Sequence, residues 1–307
     1  MHKLLFISIV SVFSASLLFS QSKIDRKKVA NHLQDISVTI KSYGKYSKSE
    51  GSGVLITRKV GSEQITFVWT CAHVIDNLRN VRSIVDSGGS NKKIIEFDDA
   101  QIVKELVESG RRVGEIKMDA QVIKYSDYTY GHDLALLMVR AKDYGKSSAS
   151  FYLDKEDPIV PIGTRLYHVG SLLGQMGANS MTTGIISQVG RVEGKVEFDQ
   201  TTVTAFRGSS GGGVYLENGK YVGMIARGAG EGFNLMIPIR RITEWAKENK
   251  ILWAIDPSQK MPTLEEIKNL PIESPSKTSG VTKNKKKEYE FLIRVEEFND
   301  QTSSSKE

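Results

Sequence analysis

The sequence predicts an all-β fold, and two features of the chain support this prediction. Short apolar runs follow one another from Ile36 to Ile237. Turn residues separate these runs, and one of the turns is the pair Asn218-Gly219, which favours a tight hairpin. Many short strands joined by glycine-rich turns are typical of a β-sandwich or a β-barrel.

The apolar runs predict ten strands. They cover residues 37–40, 53–56, 65–69, 134–139, 166–169, 183–187, 196–198, 213–216, 221–225 and 234–237. A helix is predicted over 240–250, because Ile242, Trp245 and Ala246 share one face and charged residues fill the other. The prediction is therefore a β domain that ends on a C-terminal helix.

The N-terminal region has a different composition. Residues 1–20 begin with His2 and Lys3 and continue as an uncharged, largely apolar stretch, which predicts a secretory signal peptide. Cleavage after Ser20 and cleavage after Ser16 are both compatible with the residues. An uncleaved anchor is the alternative, although the stretch is shorter than the roughly 20 apolar residues that a spanning helix needs. We therefore expect a protein exported to the periplasm or the medium, without a stable membrane span after cleavage.

The remaining chain divides into three parts. Residues 21–35 form a polar leader that is compatible with a short helix, and residues 36–253 form the predicted domain. Within it we expect one β unit over about 36–147 and a second over about 155–240. Residues 254–307 contain four prolines and a lysine run, so we expect a low-complexity, largely disordered tail.

Composition excludes several classes of protein. Charged residues are interspersed over most of the chain and the formal net charge is only +6, so we expect no nucleic-acid binding. Cys71 is the only cysteine, which excludes an intramolecular disulfide. The histidines and acidic residues do not show metal-ligand spacing, so we expect neither a metal nor a cofactor.

A glycine-dense turn supplies a candidate nucleophile. Residues 206–214 read FRGSSGGGV and lead into a predicted strand. Glycines around a serine let the backbone adopt conformations that other residues resist. Ser210 is the predicted nucleophile, and the N–H groups of Gly208 and Ser210 are the predicted oxyanion hole. Ser209 is the rival nucleophile, and a merely flexible turn is the other interpretation.

A serine nucleophile needs a histidine base and a carboxylate that orients it. His73 directly follows an apolar strand, whereas His132 and His168 have the settings of a turn residue and a strand residue. Asp133 opens a buried strand, where an ionised acid is costly unless it is paired. Asp127 is the alternative acid, and its polar surroundings indicate a solvated loop.

These segments together resemble the trypsin-like (chymotrypsin-fold) serine proteases. Residues 70–73 (TCAH), 131–136 (GHDLAL) and 208–212 (GSSGG) look like the three catalytic segments of that family, and their order matches. Within the family the chain is most similar to the bacterial HtrA type, through residues 50–54, 184–187 and 232–238. The resemblance implies two six-stranded antiparallel barrels with His73, Asp133 and Ser210 in the cleft between them.

The resemblance also bears on specificity and regulation. It implies a primary pocket near Thr204, Ala226, Arg227 and Gly228. With no acid at the base of this pocket, we expect a small or medium apolar residue before the scissile bond rather than Arg or Lys. Arg227 alternatively favours an acidic residue nearby. The residues after 253 are too few for the PDZ domain that HtrA proteases usually carry.

The predicted function is that of a serine endopeptidase acting on exported or misfolded proteins. A catalytically silent domain that acts as a binding module or chaperone is the alternative, and an esterase would use the same residues. The expected partners are protein or peptide substrates, and the oligomeric state is left open. A cysteine protease built on Cys71 is disfavoured, because no glycine-rich turn surrounds that residue.

Overall fold

The structure is a computed structural model that describes residues 25–273, apart from 86–87, 109, 130, 143, 194–195, 229 and 231. The predicted signal peptide and the chain after 273 lie outside the described residues. In the described part the strands are β1 (Ser37–Tyr43), β2 (Lys48–Val60), β3 (Glu63–Thr70), β4 (Arg79–Val85), β5 (Asn91–Phe97), β6 (Ala100–Glu108), β7 (Arg111–Ser126), β8 (Leu134–Val139), β9 (Ser150–Phe151), β10 (Arg165–Leu172), β11 (Gly177–Glu193), β12 (Val196–Thr201), β13 (Gly213–Leu216), β14 (Lys220–Gly228) and β15 (Asn234–Pro238). The helices are α1 (Arg26–Asp35), α2 (Ala72–Ile75), α3 (Ile239–Glu248) and α4 (Leu264–Lys268), with 3₁₀ turns at Asp76–Leu78, Gly174–Met176 and Leu252–Ala254.

Six antiparallel strands form a first closed barrel in the order β1-β2-β3-β8-β7-β6. Strand β6 returns to pair with β1, which closes the ring. Strand β8 is buried along its whole length, and its residues pack against β3 and β7. A strand buried on both sides reads as an unbroken apolar run, which is why this one was visible in the sequence.

A second ring of six strands follows, in the order β13-β10-β11-β12-β15-β14. The pairing of β13 with β14 returns the ring to its first strand. The two-residue strand β9 lies parallel to β14 on its outer edge. Two six-stranded antiparallel barrels followed by a helix are the fold that the sequence predicted, and the predicted fold class is confirmed.

Within the described residues, four strands that the sequence analysis missed, β4 to β7, lie between Arg79 and Ser126, and a fifth is the two-residue strand β9. Strands β4 and β5 form a separate two-stranded sheet, and six of the seven residues of β4 are exposed. The outer half of the β6–β7 hairpin is exposed as well. A strand with water on both faces carries no alternation of apolar and polar residues, which explains why no pattern predicted β4, β5 and the outer half of the β6–β7 hairpin. The inner halves of β6 and β7 are buried in the first barrel, and the sequence analysis missed them as well.

Helix α3 packs on the barrels through the predicted apolar face, since Ile242, Trp245 and Ala246 are all buried. The expected charged face needs one correction, because Arg241 is also buried. Its guanidinium donates to the carbonyls of Glu197 and His132, so two of its N–H groups have acceptors inside the protein. A buried arginine is tolerated when such acceptors surround it.

The chain remains packed beyond residue 253, where the sequence analysis placed the start of the tail. Ile267 of α4 is fully buried against the main core. The buried amine of Lys124 donates to the carbonyl of Pro271 at 2.7 Å, and the N–H of Tyr125 donates to the carbonyl of Ile272 at 2.9 Å. Apolar residues spaced among the prolines therefore hold 254–273 on the first barrel. The rest of the predicted tail lies outside the described residues.

In the part of the chain covered by the structure, every helix is too short or too polar to cross a membrane.

Candidate active site

The position of His73 follows from the end of strand β3. After Thr70 the chain passes through Cys71 in an extended conformation and enters the single-turn helix α2, which carries His73. Thr70 pairs with Ala135 of β8, so the residues that precede β8 lie beside α2. The sheet register therefore brings two segments 60 residues apart in sequence to the same edge of the first barrel.

Asp133 contacts His73 through both of its carboxylate oxygens. The imidazole Nδ1 lies 2.9 Å from Oδ2 and 3.1 Å from Oδ1, and the backbone N–H of His73 donates to Oδ1 at 3.0 Å. Because a carboxylate only accepts, Nδ1 carries the proton and Nε2 is left as the basic nitrogen. The Asp133 side chain is 3% exposed and the His73 side chain is 30% exposed, so the carboxylate is buried while the imidazole remains partly accessible.

The backbone around Asp133 is unusual. Asp133 has φ 55°, a left-handed conformation that aspartate adopts more readily than most residues. The N–H of His132 donates to the Ser126 hydroxyl, and its carbonyl accepts from Arg241 at 2.5 Å. Arg241 therefore helps to position Asp133. No pattern in the sequence pointed to this role, because Arg241 is one charged residue among several on α3.

The alternative acid, Asp127, lies in the turn that precedes Asp133. Its side chain accepts from the N–H of Thr129 at 2.8 Å, and its carbonyl accepts from the N–H groups of Gly131 and Asp133. These contacts shape the turn. The contact with the histidine is made by Asp133, so the structure favours Asp133 over Asp127 as the orienting acid.

Ser210 lies in the turn before β13, and this turn is tied to the first barrel. The Ser210 carbonyl accepts from the N–H of Ser52 at 2.7 Å. Gly211 has φ 82°, and a Cβ atom there would lie 2.2 Å from the Ser52 carbonyl oxygen. Only glycine fits this position, which explains part of the glycine density seen in the sequence.

The two serines of the turn face different surroundings. The hydroxyl of Ser209 is fully buried and accepts from the N–H of Phe206 at 3.1 Å. The hydroxyl of Ser210 is part-buried and donates to the carbonyl of Ala226 at 3.5 Å. Within the described residues Ser210 makes no hydrogen bond with His73. Such bonds are often long in unliganded enzymes and tighten when substrate binds.

The two N–H groups of the predicted oxyanion hole are not used in hydrogen bonds within the described residues. In the described part of the chain, the N–H groups of Gly208 and Ser210 have no hydrogen-bond acceptor. The carbonyl of Arg207 accepts from the N–H of Leu173 at 2.8 Å. Since the carbonyl and the N–H of one planar trans peptide point in opposite directions, the N–H of Gly208 is directed away from Leu173. Gly208 itself has φ 96°, and a Cβ there would lie 2.4 Å from the Ser171 carbonyl oxygen.

Two cavities adjoin the predicted catalytic residues, and Arg227 lines both. The first has a volume of ≈ 560 Å³ and is lined by Ser210 together with Thr204, Arg227 and Gly228. The second has a volume of ≈ 670 Å³ and is lined by His73 and Asp133 together with Ala226 and Arg227. The structure thus places all four residues predicted to bind substrate in the walls of these cavities.

Three side chains of metal-ligand type also cluster here. One ligand atom from each of Cys71, His73 and Asp133 lies within 4.8 Å of the others. Burial and the charge of Asp133 raise the pKa of the Cys71 thiol well above its usual value, and the thiol donates to the carbonyl of Ile225. A buried thiol with a raised pKa is inert as a nucleophile and as a ligand. The donor set therefore fits a histidine–aspartate pair better than a metal site.

His168 lies in the core beneath the Ser210 turn. Its Nδ1 donates to the Gly213 carbonyl at 3.0 Å, and in the described part of the chain its buried Nε2 has no partner. Burial lowers the pKa of His168 from its usual 6.5 to about 4. Below pH 6.5 His168 binds a proton in the unfolded chain, whereas in the folded protein it does so only near pH 4. The stability that neutral His168 provides above pH 6.5 is therefore lost as the pH falls toward 4.

We expect this titration to remove about 3 kcal/mol of folding free energy between pH 6.5 and pH 4. His168→Gln replaces the imidazole by a neutral amide and should flatten this acid-dependent loss. Denaturant unfolding of both proteins at pH 7.5 and pH 4.5 measures the difference. Equal losses in the two proteins would show that His168 does not carry the effect.

Comparisons with known proteins show the family and the fold of this chain. A family model described as the trypsin-like peptidase domain matches residues 51–224. No curated protein sequence matches the chain significantly. The fold is similar to that of a serine endoprotease from Yersinia pestis, with a TM-score of 0.51 and 18% identity over 75% of this chain and 67% of that one. It is also similar to that of the HtrA-type protease AlgW in a serine-to-alanine form with a tripeptide, with a TM-score of 0.51 and 18% identity over 74% of this chain and 64% of that one.

Proposed function

Because this chain belongs to the trypsin-like peptidase domain family and is thereby a serine endopeptidase, we propose that it cuts peptide bonds by acyl transfer through His73, Asp133 and Ser210. The observation that carries the proposal is the contact between His73 Nδ1 and the buried carboxylate of Asp133, which leaves Nε2 as the basic nitrogen. The free N–H groups of Gly208 and Ser210 support it, since they supply the donors that a developing oxyanion requires.

The first half of the reaction forms an ester. His73 Nε2 removes the proton from the Ser210 hydroxyl as Oγ bonds to the carbonyl carbon of the substrate. The carbonyl oxygen becomes an oxyanion that accepts from the N–H groups of Gly208 and Ser210. Asp133 stabilises the imidazolium. The carbon–nitrogen bond then breaks, and His73 gives its proton to the departing amine.

The second half consumes one water molecule. His73 removes a proton from the water, and the water oxygen bonds to the ester carbonyl carbon. The ester bond then breaks, Ser210 recovers its proton from His73, and the carboxylic acid product leaves. The protein ends the cycle with each proton returned to its starting group, and no cofactor enters the scheme.

The substrates that we propose are exported or misfolded proteins. The signal peptide predicted over residues 1–20 supports export, and the two cavities beside the predicted catalytic residues offer room for substrate side chains. A catalytically silent domain is the second candidate. The specific observation that favours it is the absence, in the described residues, of a hydrogen bond between Ser210 and His73.

Fluorophosphonate labelling separates the two candidates. We expect intact-mass spectrometry to show one adduct on the wild type and none on Ser210→Ala. Ser209→Ala is the matched control, because the buried Ser209 hydroxyl already accepts from Phe206 and should not be the labelled group. A folded wild-type protein that takes no adduct would favour the silent domain, and an adduct lost only in Ser209→Ala would move the nucleophile to Ser209.

A further inference from the structure

A short segment that follows helix α4 is bound to the first barrel beside the strand that leads to Asp133. The pairing of β7 with β6 ends at Ala120, and residues 271–273 contact the rest of β7. Tyr125 of β7 pairs with Ala135 of β8 and also forms a parallel bridge with Glu273. We call residues 271–273 the strap.

Both backbone and side chains hold the strap in place. The carbonyl of Ile272 accepts from the N–H of Tyr125 at 2.9 Å. The carboxylate of Glu273 accepts two hydrogen bonds from the Arg79 guanidinium, at 2.5 and 3.0 Å. The Arg79 and Glu273 side chains are 30% and 25% exposed, so this two-pronged ion pair is better shielded from water than an ordinary surface pair.

Tyr125 connects the segment that precedes Asp133 with the segment that follows His73. Its hydroxyl donates to Asp76 Oδ1 at 2.5 Å, and Asp76 is the residue directly after α2, the helix that carries His73. In the other direction, Tyr125 is followed by Ser126, whose hydroxyl accepts from the N–H of His132. One hydrogen bond therefore ties together the two chain segments that carry the histidine and the carboxylate.

The surroundings of Tyr125 fix the direction of this bond. Tyr125 is buried, and its ring centroid lies 4.9 Å from that of Phe97. Burial and the Asp76 carboxylate raise the pKa of Tyr125 above its usual 10, so the hydroxyl stays protonated and is the donor. Asp76 lines the same cavity as His73 and Asp133. The bond therefore reaches the wall of the candidate active site.

The short helix α2 depends on contacts outside itself for its position. It has only four residues, too few for its own hydrogen bonds to hold it. The two residues that link it to the strap and to Tyr125 are Arg79 and Asp76, and both follow α2 closely in the chain. Proton transfer from Ser210 requires a well-placed imidazole, and a displacement of about 1 Å can cost about a hundredfold in rate.

We propose that Tyr125 and the strap are positioning elements for the His73–Asp133 pair, with Tyr125 bonded to the His73 side through Asp76 and the strap bonded to it through Arg79. The inference rests on the proposed function, since it assigns these contacts to the alignment of the proposed base. Neither Tyr125 nor the strap touches the substrate in this scheme. Their loss should therefore lower kcat and leave KM nearly unchanged.

Tyr125→Phe removes the hydroxyl and keeps both the ring and the backbone bond to the strap. We expect kcat for a fluorogenic peptide to fall about tenfold, with KM within about twofold of the wild-type value. The rate of fluorophosphonate labelling should fall with kcat, because it also requires an aligned base. Tyr144→Phe is the matched control, since the buried Tyr144 hydroxyl has no hydrogen-bond partner in the described residues. Near-UV circular dichroism and denaturant unfolding establish that each variant is folded at the assay temperature.

Glu273→Ala tests the strap without touching Tyr125. We expect a smaller loss of kcat, about threefold, because the backbone bond from Tyr125 to Ile272 survives. Glu63→Ala is the control, since Glu63 also forms an ion pair, with Lys142, but lines neither cavity. In Tyr125→Phe combined with Glu273→Ala, the loss should be less than the product of the two single losses, because both contacts align the same pair.

A labelled and active wild type together with a folded Tyr125→Phe variant of unchanged kcat would overturn this inference alone. So would losses that multiply in the double variant, or a fall in activity that only follows the folded fraction, since a purely structural role predicts the latter. A folded wild type that neither labels nor cuts any peptide would overturn the proposed function and the inference with it.

Discussion

Alanine at His73 or at Ser210 is expected to reduce kcat/KM for peptide hydrolysis by roughly 10⁴–10⁶-fold. Without His73 no base lies ready to take the Ser210 proton, and without Ser210 no acyl-enzyme can form. The residual rate should reflect substrate binding and the N–H groups of Gly208 and Ser210, which survive both changes.

The double variant provides the sharper measurement. Because the two residues act in one step, His73→Ala combined with Ser210→Ala should lose little more than either single change. Single-turnover assays with a fluorogenic peptide measure all three variants, and circular dichroism confirms that each is folded. Losses that multiply in the double variant would mean that His73 and Ser210 act independently, which contradicts the mechanism.

Asp133→Asn is expected to lower kcat by roughly 10⁴-fold at neutral pH while leaving the fold intact. The asparagine amide can present an N–H to His73 Nδ1, where the aspartate presents only acceptors. The imidazole would then carry its proton on Nε2, and the basic nitrogen would face away from Ser210. The carboxylate would also no longer stabilise the imidazolium.

Asp127→Asn is the matched control for this experiment. Both changes remove one negative charge from the same turn, but Asp127 contacts Thr129 through its side chain, whereas Asp133 contacts His73. We expect Asp127→Asn to retain most of the wild-type activity. A larger loss in Asp127→Asn than in Asp133→Asn would transfer the orienting role to Asp127.

The sequence by itself determined the fold class and most of the candidate site. The buried strands and the amphipathic helix α3 could be predicted, because an element buried on one face carries apolar residues at a regular spacing. The serine turn could be predicted because its backbone needs glycine: Gly208 and Gly211 have positive φ and no room for a Cβ atom. The motifs around His73 and Asp133 could be recognised because they precede the serine turn in the order that the trypsin-like family shows.

Other features were decided only by the tertiary structure. The β4–β5 sheet and the outer half of the β6–β7 hairpin left no pattern, because they are exposed to water. The packing of residues 254–273 depends on single apolar contacts such as that of Ile267, too sparse for a period.

The role of Arg241 also came from the structure alone. Arg241 meets the His132 carbonyl only because folding places helix α3 against the loop that precedes β8. A local sequence pattern records which face of an element is buried. It does not record which buried polar atom lacks a partner, because that depends on chain segments brought together by folding.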